Sequence, residues 1–193
     1  MSPDEPACPL GRSGRISQHV GTKTNNYKQM KTLYLARHAK SSWKNPEFSD
    51  IERPLNKRGK RDAPLMGNKL KERGIIPGLI VTSPAKRARV TAKNIALEIG
   101  FPEKEILINE NIYEASSTEL INIIHGFDDK YNSIMMFGHN PGFTMLNNYL
   151  TDHYIDNVPT CGVVGIQFNS SWKIVQSGSG KSLFFIYPKM FTK

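Results

Sequence analysis

Two histidines and two arginines lie just beyond the ends of three short apolar runs. The runs occupy residues 32–36, 78–82 and 133–137, and each has the length and the polar boundaries of a buried strand. The four basic side chains that follow them are Arg37, His38, Arg87 and His139. Because parallel strands end at one edge of a sheet, where open α/β folds hold their ligands, we expect these four side chains to meet there.

This combination of side chains suits phosphoryl transfer. An arginine fork matches phosphate oxygens and stays charged at any working pH, and a neutral imidazole is a competent nucleophile toward phosphorus. One histidine can attack while the other donates a hydrogen bond to a phosphoryl oxygen, whose charge grows in the transition state. No carboxylate cluster of the kind that binds Mg²⁺ stands beside these residues in the sequence, so we expect no metal ion and no other cofactor.

The rest of the chain supplies the elements that must position this group. Helices are predicted at 56–73, 84–99, 116–126 and 141–150, and further strands at 105–109, 163–168, 172–176 and 183–187. Strands that alternate with helices imply a mainly parallel sheet, and the β-rich C-terminal part implies one antiparallel edge. The predicted fold is therefore α/β, a three-layer αβα sandwich.

Local signals mark where these helices begin. N-caps are predicted at Asn56, Ser83 and Ser116. Pro84 would then occupy the first position of its helix, and Glu119 would complete a capping box with Ser116. Pro64 is predicted to kink the first helix or to begin a fresh turn within it.

Length and composition describe one globular domain with a basic surface. The chain has 193 residues, of which 38% are hydrophobic, and no apolar run approaches the roughly 20 residues that span a bilayer. We expect a cytoplasmic protein without membrane association. Residues 1–29 have the polar composition of a disordered tail, which leaves 30–193 as the functional domain.

The formal net charge is +9, and its excess is concentrated between residues 57 and 93. The simplest interpretation is a pair of helices with solvated Lys and Arg faces, and the functional one is the steering of an anionic substrate. Nucleic-acid binding is not expected, because the basic residues are not interleaved with aromatic ones in a stacking pattern.

Taken together, the motifs resemble the histidine phosphatase superfamily, which has the phosphoglycerate mutase-like fold. Within it, the compact SixA-like phosphohistidine phosphatases are the more similar group. The resemblance covers residues 30 to about 188. It is carried by Arg37-His38-Ala39-Lys40-Ser41, Asp50 with Arg53-Pro54-Leu55, Gly59, Ser83-Pro84 with Arg87-Ala88 and Thr91-Ala92, and Gly138-His139-Asn140-Pro141-Gly142.

The resemblance implies roles for individual residues. His38 would be the nucleophile and would be transiently phosphorylated, while the phosphate pocket would consist of Arg37, Arg87 and His139. Lys40 and Asn140 stand beside these motif residues and are candidates for substrate contacts. Ala39 departs from the Arg-His-Gly motif that is commonest in the superfamily.

The proton donor is not fixed by these motifs. Larger members of the superfamily use a carboxylic acid to protonate an alkoxide leaving group, and the candidates here are Glu114 and Asp50. Asp50 can instead pair with Arg53 and fix the loop that follows the first strand. An imidazole leaves more easily than an alkoxide, because its conjugate acid has a pKa of about 6.5, so a site without a dedicated acid would still cleave phosphohistidine.

The sequence thus predicts a monomeric or weakly associating phosphatase that cleaves phosphohistidine on a protein, or a small phosphorylated molecule, through phosphorylated His38. Two alternatives stay open. One is a phosphomonoesterase for a small phosphorylated metabolite, and the other is a phosphate-binding module that does not turn over. A mutase is less favoured, since the compact chain leaves little room for an insertion that encloses the substrate.

Overall fold

The structure is a computed structural model that describes residues 30–192. Within this range the chain forms six strands, which are β1 (Lys31–Arg37), β2 (Leu79–Thr82), β3 (Leu107–Ile108), β4 (Ser133–Gly138), β5 (Val163–Phe168) and β6 (Gly180–Ile186). Its α-helices are α1 (Lys57–Lys71), α2 (Lys86–Ile99), α3 (Ser117–His125) and α4 (Gly142–Leu150). The predicted tail, 1–29, lies outside the described residues.

All six strands belong to one sheet with the order β3-β2-β4-β1-β5-β6. The first four in this order are parallel, and β5 and β6 are added through antiparallel pairs. The mainly parallel sheet with an antiparallel edge is confirmed. Because β1 lies between β4 and β5, its carboxyl end is at the middle of the sheet edge.

Two hydrophobic clusters cover the two faces of the sheet. On one face α1 and α2 bury a cluster that includes Met66, Ile95 and Phe137. On the other face α3 and α4 bury a second cluster that includes Leu120 and Phe143. Burying apolar surface on both faces is what a mainly parallel sheet requires, and the predicted three-layer αβα sandwich is confirmed.

Two of the predicted strands differ from the structure. Within the predicted strand 172–176, residues Trp172–Ile174 form a 3₁₀ turn instead. The amide of Trp172 donates to the Asp129 carboxylate, and its indole donates to the carbonyl of Tyr131. These bonds hold the backbone in a turn and bury the ring completely. At 105–109 only Leu107–Ile108 pairs with β2, since Glu103–Glu105 is already a 3₁₀ turn.

Two predictions about helix starts, a fresh turn at Pro64 and an N-cap at Ser83, are wrong. Pro64 begins no new turn, because α1 is continuous from Lys57 to Lys71. The kink that an interior proline can cause stays a prediction. Ser83 is not an N-cap: α2 starts at Lys86 and its N-cap is Ala85, since the backbone amide of Ser83 still donates to Phe137 of the sheet. The predicted caps at Asn56 and Ser116 are confirmed.

No helix within residues 30–192 combines the length and the hydropathy that crossing a membrane would require.

Candidate active site

The pairing of β1 with β4 brings the two histidines together. Arg37 is in register with Gly138, and the amide of His38 donates to the carbonyl of Gly138 at 3.0 Å. The residues that follow these strands therefore lie at the same height on the sheet edge. The ring centroids of His38 and His139 are 5.1 Å apart.

The imidazole of His38 has one nitrogen bonded and the other free. Nδ1 lies 2.8 Å from the carbonyl oxygen of Ala39, which only accepts, so Nδ1 carries the proton. Nε2 makes no hydrogen bond within the described residues and keeps its lone pair. Burial, followed by the charges of Arg87 and Arg37, lowers the pKa of His38 to about 4 and outweighs the bond to Ala39. The ring is therefore neutral at physiological pH.

His139 has partners at both ring nitrogens. Nε2 lies 2.7 Å from Oγ of Ser83, and Nδ1 lies 3.4 Å from a guanidinium nitrogen of Arg87. Because the guanidinium only donates, Nδ1 accepts and Nε2 donates to Ser83. Burial, together with the nearby His38 and Arg87, lowers the pKa of His139 to about 3.

Arg87 is buried and held by the loop that follows β1. Its guanidinium donates to the backbone carbonyl of Asp50 and, at 2.7 Å, to Oδ2 of the same residue. Tyr113 donates its hydroxyl to the same carboxylate oxygen at 2.7 Å, and Arg53 pairs with the other oxygen at 3.0 Å. The Asp50–Arg53 pair that the sequence suggested is thus present, as part of a larger cluster.

This cluster keeps Asp50 ionised. Burial alone would raise the pKa of Asp50, but the hydrogen bonds from Tyr113 and Arg87 and the charges of the two arginines outweigh it, so that the pKa lies below its ordinary value. Burial and the same carboxylate raise the pKa of Tyr113 to about 12. Tyr113 also places its ring edge-on to His139, with centroids 5.6 Å apart.

Arg37 is held on the opposite side by the loop before β5. One terminal nitrogen, Nη1, donates to the carbonyl of Val158 at 2.7 Å and to Asn157 at 3.3 Å. The side-chain amide of Asn140 donates to the same two oxygens, at 3.1 and 2.8 Å. Within the described residues the second terminal nitrogen of Arg37, Nη2, makes no hydrogen bond and keeps its donors for a ligand.

Within residues 30–192, two predicted site residues make no side-chain hydrogen bond to the histidines. Lys40 is half-buried, and its side chain makes no hydrogen bond or ion pair within residues 30–192; its carbonyl accepts from the amide of Asn56. Glu114 is exposed and has a left-handed backbone conformation, with φ of 56°. The charge of Glu114 helps to raise the pKa of its neighbour Tyr113.

Three supporting residues were not singled out as site residues by the sequence. Ser83 bonds to His139, Tyr113 bonds to Asp50, and the hydroxyl of Thr91 accepts from the amide of Ala39 while donating to the carbonyl of Arg87. Thr91 therefore joins α2 to the residue after the nucleophile candidate. Ser83 and Thr91 stand in the motif around Arg87, which was their signal, whereas Tyr113 had only its position beside Glu114.

Comparisons with known proteins agree with this geometry. The model of the histidine phosphatase superfamily (branch 1) matches residues 33–122. An uncharacterized chloroplastic protein of Arabidopsis thaliana is 32% identical over 157 residues, which are 77% of this chain and 72% of that protein. The chain belongs to the histidine phosphatase superfamily.

Solved structures show the same fold. The structure of the protein histidine phosphatase SixA complexed with tungstate has a TM-score of 0.72 and 17% identity, and the match covers 83% of this chain and 99% of that one. The proposed phosphohistidine phosphatase SixA of Agrobacterium tumefaciens has a TM-score of 0.70 and 24% identity, with 82% and 98% covered. The predicted phosphoglycerate mutase-like fold of the compact, SixA-like kind is confirmed.

Proposed function

We propose that this chain is a phosphatase that removes the phosphoryl group from phosphohistidine, with His38 as the nucleophile. Membership of the histidine phosphatase superfamily supports phosphatase activity. The choice of His38 over His139 is supported by their hydrogen bonds, since both nitrogens of His139 are engaged and Nε2 of His38 is not. A cytoplasmic location and a monomeric state stay predictions.

The reaction has two displacement steps at phosphorus. In the first, the lone pair of His38 Nε2 forms a bond to phosphorus while the P–N bond of the substrate breaks and its electron pair returns to the leaving imidazole. In the second, water forms the new P–O bond, the P–N bond of His38 breaks, and inorganic phosphate leaves. Arg37 and Arg87 surround the phosphoryl oxygens and stabilise the charge that they carry in both transition states. His139 joins them when its Nε2–H exchanges Ser83 for a phosphoryl oxygen.

The ionised state of Asp50 is the observation that favours phosphohistidine over an alkyl phosphate as the substrate. This carboxylate is bonded to the Arg87 guanidinium, and its pKa is lowered. A carboxylate that stays ionised cannot protonate an alkoxide, and Glu114, the other candidate acid, is exposed and makes no hydrogen bond to either histidine within residues 30–192. A phosphohistidine substrate needs no such acid, because its leaving group is the same kind of imidazole as the attacking one and departs neutral when its other nitrogen is protonated.

Rates on a substrate panel test this proposal. We expect the wild type to hydrolyse phosphohistidine at least about a hundredfold faster than phosphoserine or a sugar phosphate, since general acid catalysis is worth 10²–10⁴-fold. A labelled, acid-labile phosphoenzyme should accumulate on rapid quench of the wild type, and His38→Ala should show no label. Turnover that persists in His38→Ala would refute the mechanism.

The panel also decides between this proposal and the small-metabolite phosphomonoesterase. Glu114→Gln should leave phosphohistidine hydrolysis unchanged. Alkyl phosphates cleaved as fast as phosphohistidine, with a large loss in Glu114→Gln, would establish the phosphomonoesterase instead. Phosphate binding without hydrolysis of any substrate would establish the non-catalytic module.

A further inference from the structure

A groove of about 390 Å³ lies between α2 and the segment that leads into β3. We call it the α2 groove. Its cationic side chains are Lys86, Arg89 and Lys93, and its apolar ones are Val90, Ile106 and Ile108. Thr82 and Glu103 complete the lining. The groove therefore combines aliphatic surface with a positive rim, and neither feature is used by the reaction described above.

The α2 groove begins beside the candidate active site. Thr82 directly precedes Ser83, the partner of His139, and Lys86 directly precedes Arg87, which belongs to the phosphate pocket. The ammonium of Lys86 also lies 5.9 Å from the ring of Phe48, in the loop that carries Asp50. The groove and the candidate active site therefore share the end of β2 and the start of α2.

The charges of the α2 groove are incompletely balanced. Among the described residues, Lys86 and Arg89 have no carboxylate partner. Lys93 pairs with Glu103 at 2.8 Å, but both side chains are about 60% exposed, and such surface pairs contribute little. The lining therefore carries three cationic side chains against one carboxylate, and it attracts anionic groups.

We infer that the α2 groove binds an acidic segment of a protein that carries the phosphohistidine. The inference rests on the proposed function and narrows its substrate class to a protein with acidic and aliphatic residues near the phosphorylated histidine. The charge complementarity supports the acidic residues, and the aliphatic lining fits side chains such as leucine. Single-stranded nucleic acid is disfavoured, since no aromatic ring in the lining offers a surface on which bases stack.

Three substrates test the inference. Two are phosphohistidine peptides of equal length, one with Asp, Glu and Leu around the phosphohistidine and one with Lys and Ser, and the third is free phosphohistidine. We expect the wild type to prefer the acidic peptide about tenfold in kcat/KM, which corresponds to one well-placed group of charge contacts. Arg89→Glu should remove this preference and leave the hydrolysis of free phosphohistidine unchanged.

Two further variants separate docking from net charge. Lys71→Glu makes the same change of charge at an exposed position near the end of α1 and should keep the preference. Ile108→Ser should reduce it, because this side chain is 52% exposed and its replacement spares the core.

The outcomes are distinguishable. Hydrolysis of all three substrates without a preference, or an equal loss in Lys71→Glu, would overturn the groove assignment and leave the proposed function intact. A wild type that hydrolyses none of the three would remove the proposed function and the inference together. Binding of a single-stranded RNA that Arg89→Glu abolishes, and that the acidic peptide does not displace, would assign the groove to nucleic acid.

Discussion

His38 and His139 are both neutral imidazoles, but they differ in the number of ring nitrogens that are hydrogen-bonded. His139 is held at both nitrogens, by Ser83 and Arg87, whereas His38 is held only through Nδ1 by the carbonyl of Ala39. A nucleophile needs a free lone pair, and a pocket residue needs a fixed direction. The hydrogen bonds thus distribute two roles between two chemically identical side chains.

Arg87→Lys tests whether the planar guanidinium group of Arg87 contributes more to catalysis than its positive charge alone does. We expect kcat/KM to fall about a hundredfold, because an ammonium cannot donate to Asp50 and to a phosphoryl oxygen in the same planar geometry. The measurement is the rate of phosphohistidine hydrolysis. Arg89→Lys, on the exposed side of the same helix, is the matched control and should change little; equal losses in both would contradict the role of the fork.

The lowered pKa values of the two histidines predict how stability depends on pH. His38 has a pKa of about 4 and His139 of about 3, against an ordinary value of 6.5. Between pH 6.5 and 4 the unfolded chain binds these protons and the folded chain does not, so the free energy of unfolding falls as the pH is lowered. Each pKa unit of difference corresponds to about 1.4 kcal/mol.

Urea unfolding at several pH values measures this effect. The double variant His38→Gln, His139→Gln should lose most of the dependence of the unfolding free energy on pH between pH 6.5 and 4. A wild type whose unfolding free energy is constant over this interval would show that the histidines are not buried in the neutral form.

At the scale of elements, α1 is pressed against the loop that follows β1. A Cβ at Gly59 would overlap the carbonyl oxygen of Lys40, which accepts from the amide of Asn56. The start of α1 therefore rests on the backbone two residues after His38. This close approach explains why a glycine stands at a helical position where alanine would otherwise be preferred.

Gly59→Ala should accordingly destabilise the protein, although the same change favours most helices by about 1 kcal/mol. We expect a loss of about 2 kcal/mol, since backbone atoms must move to admit the methyl group, together with reduced phosphatase activity. Gly126→Ala is the control, because its Cβ would come no nearer than 3.4 Å to another atom. Denaturant unfolding measures the stability of both variants. If Gly59→Ala were as stable as Gly126→Ala, the close approach of Gly59 to the Lys40 carbonyl would be contradicted.

The elements around the site could largely be predicted from the sequence, and the cluster that holds Arg87 could not. Apolar runs followed by Arg37, His38 and His139 are local signals, and the parallel register of β1 and β4 converts them into one site. The contacts of Asp50 and Tyr113 join a loop to a distant turn. No spacing rule relates such residues, because their meeting depends on how both loops fold over the sheet edge.

The wrong prediction of an N-cap at Ser83 has a different cause. A serine before a proline is a good helix start by local propensity. In the structure the backbone amide of Ser83 instead donates to Phe137 of β4, and its hydroxyl accepts from His139. The hydrogen bond from the Ser83 amide to Phe137 keeps Ser83 out of α2, which starts at Lys86, and holds its side chain beside His139.

For the whole molecule, the net charge of +9 predicts that association with an anionic substrate depends on salt. Raising the ionic strength from about 0.01 to 0.15 M shortens the Debye length from about 30 to 8 Å. We expect kcat/KM for the acidic phosphohistidine peptide to fall several-fold, while kcat at saturation stays constant. Salt titration of both parameters measures this, and a change confined to kcat would contradict steering.

The position of β1 in the sheet also has a consequence for synthesis on the ribosome. Both neighbours of β1 come much later in the chain, since β4 begins at Ser133 and β5 ends at Phe168. A nascent chain that has exposed His38 still lacks His139 and the loop of Asn157 and Val158 that holds Arg37. The nucleophile candidate is therefore among the first functional groups to be translated, and the pocket that would give it phosphate is completed only when most of the chain has been made.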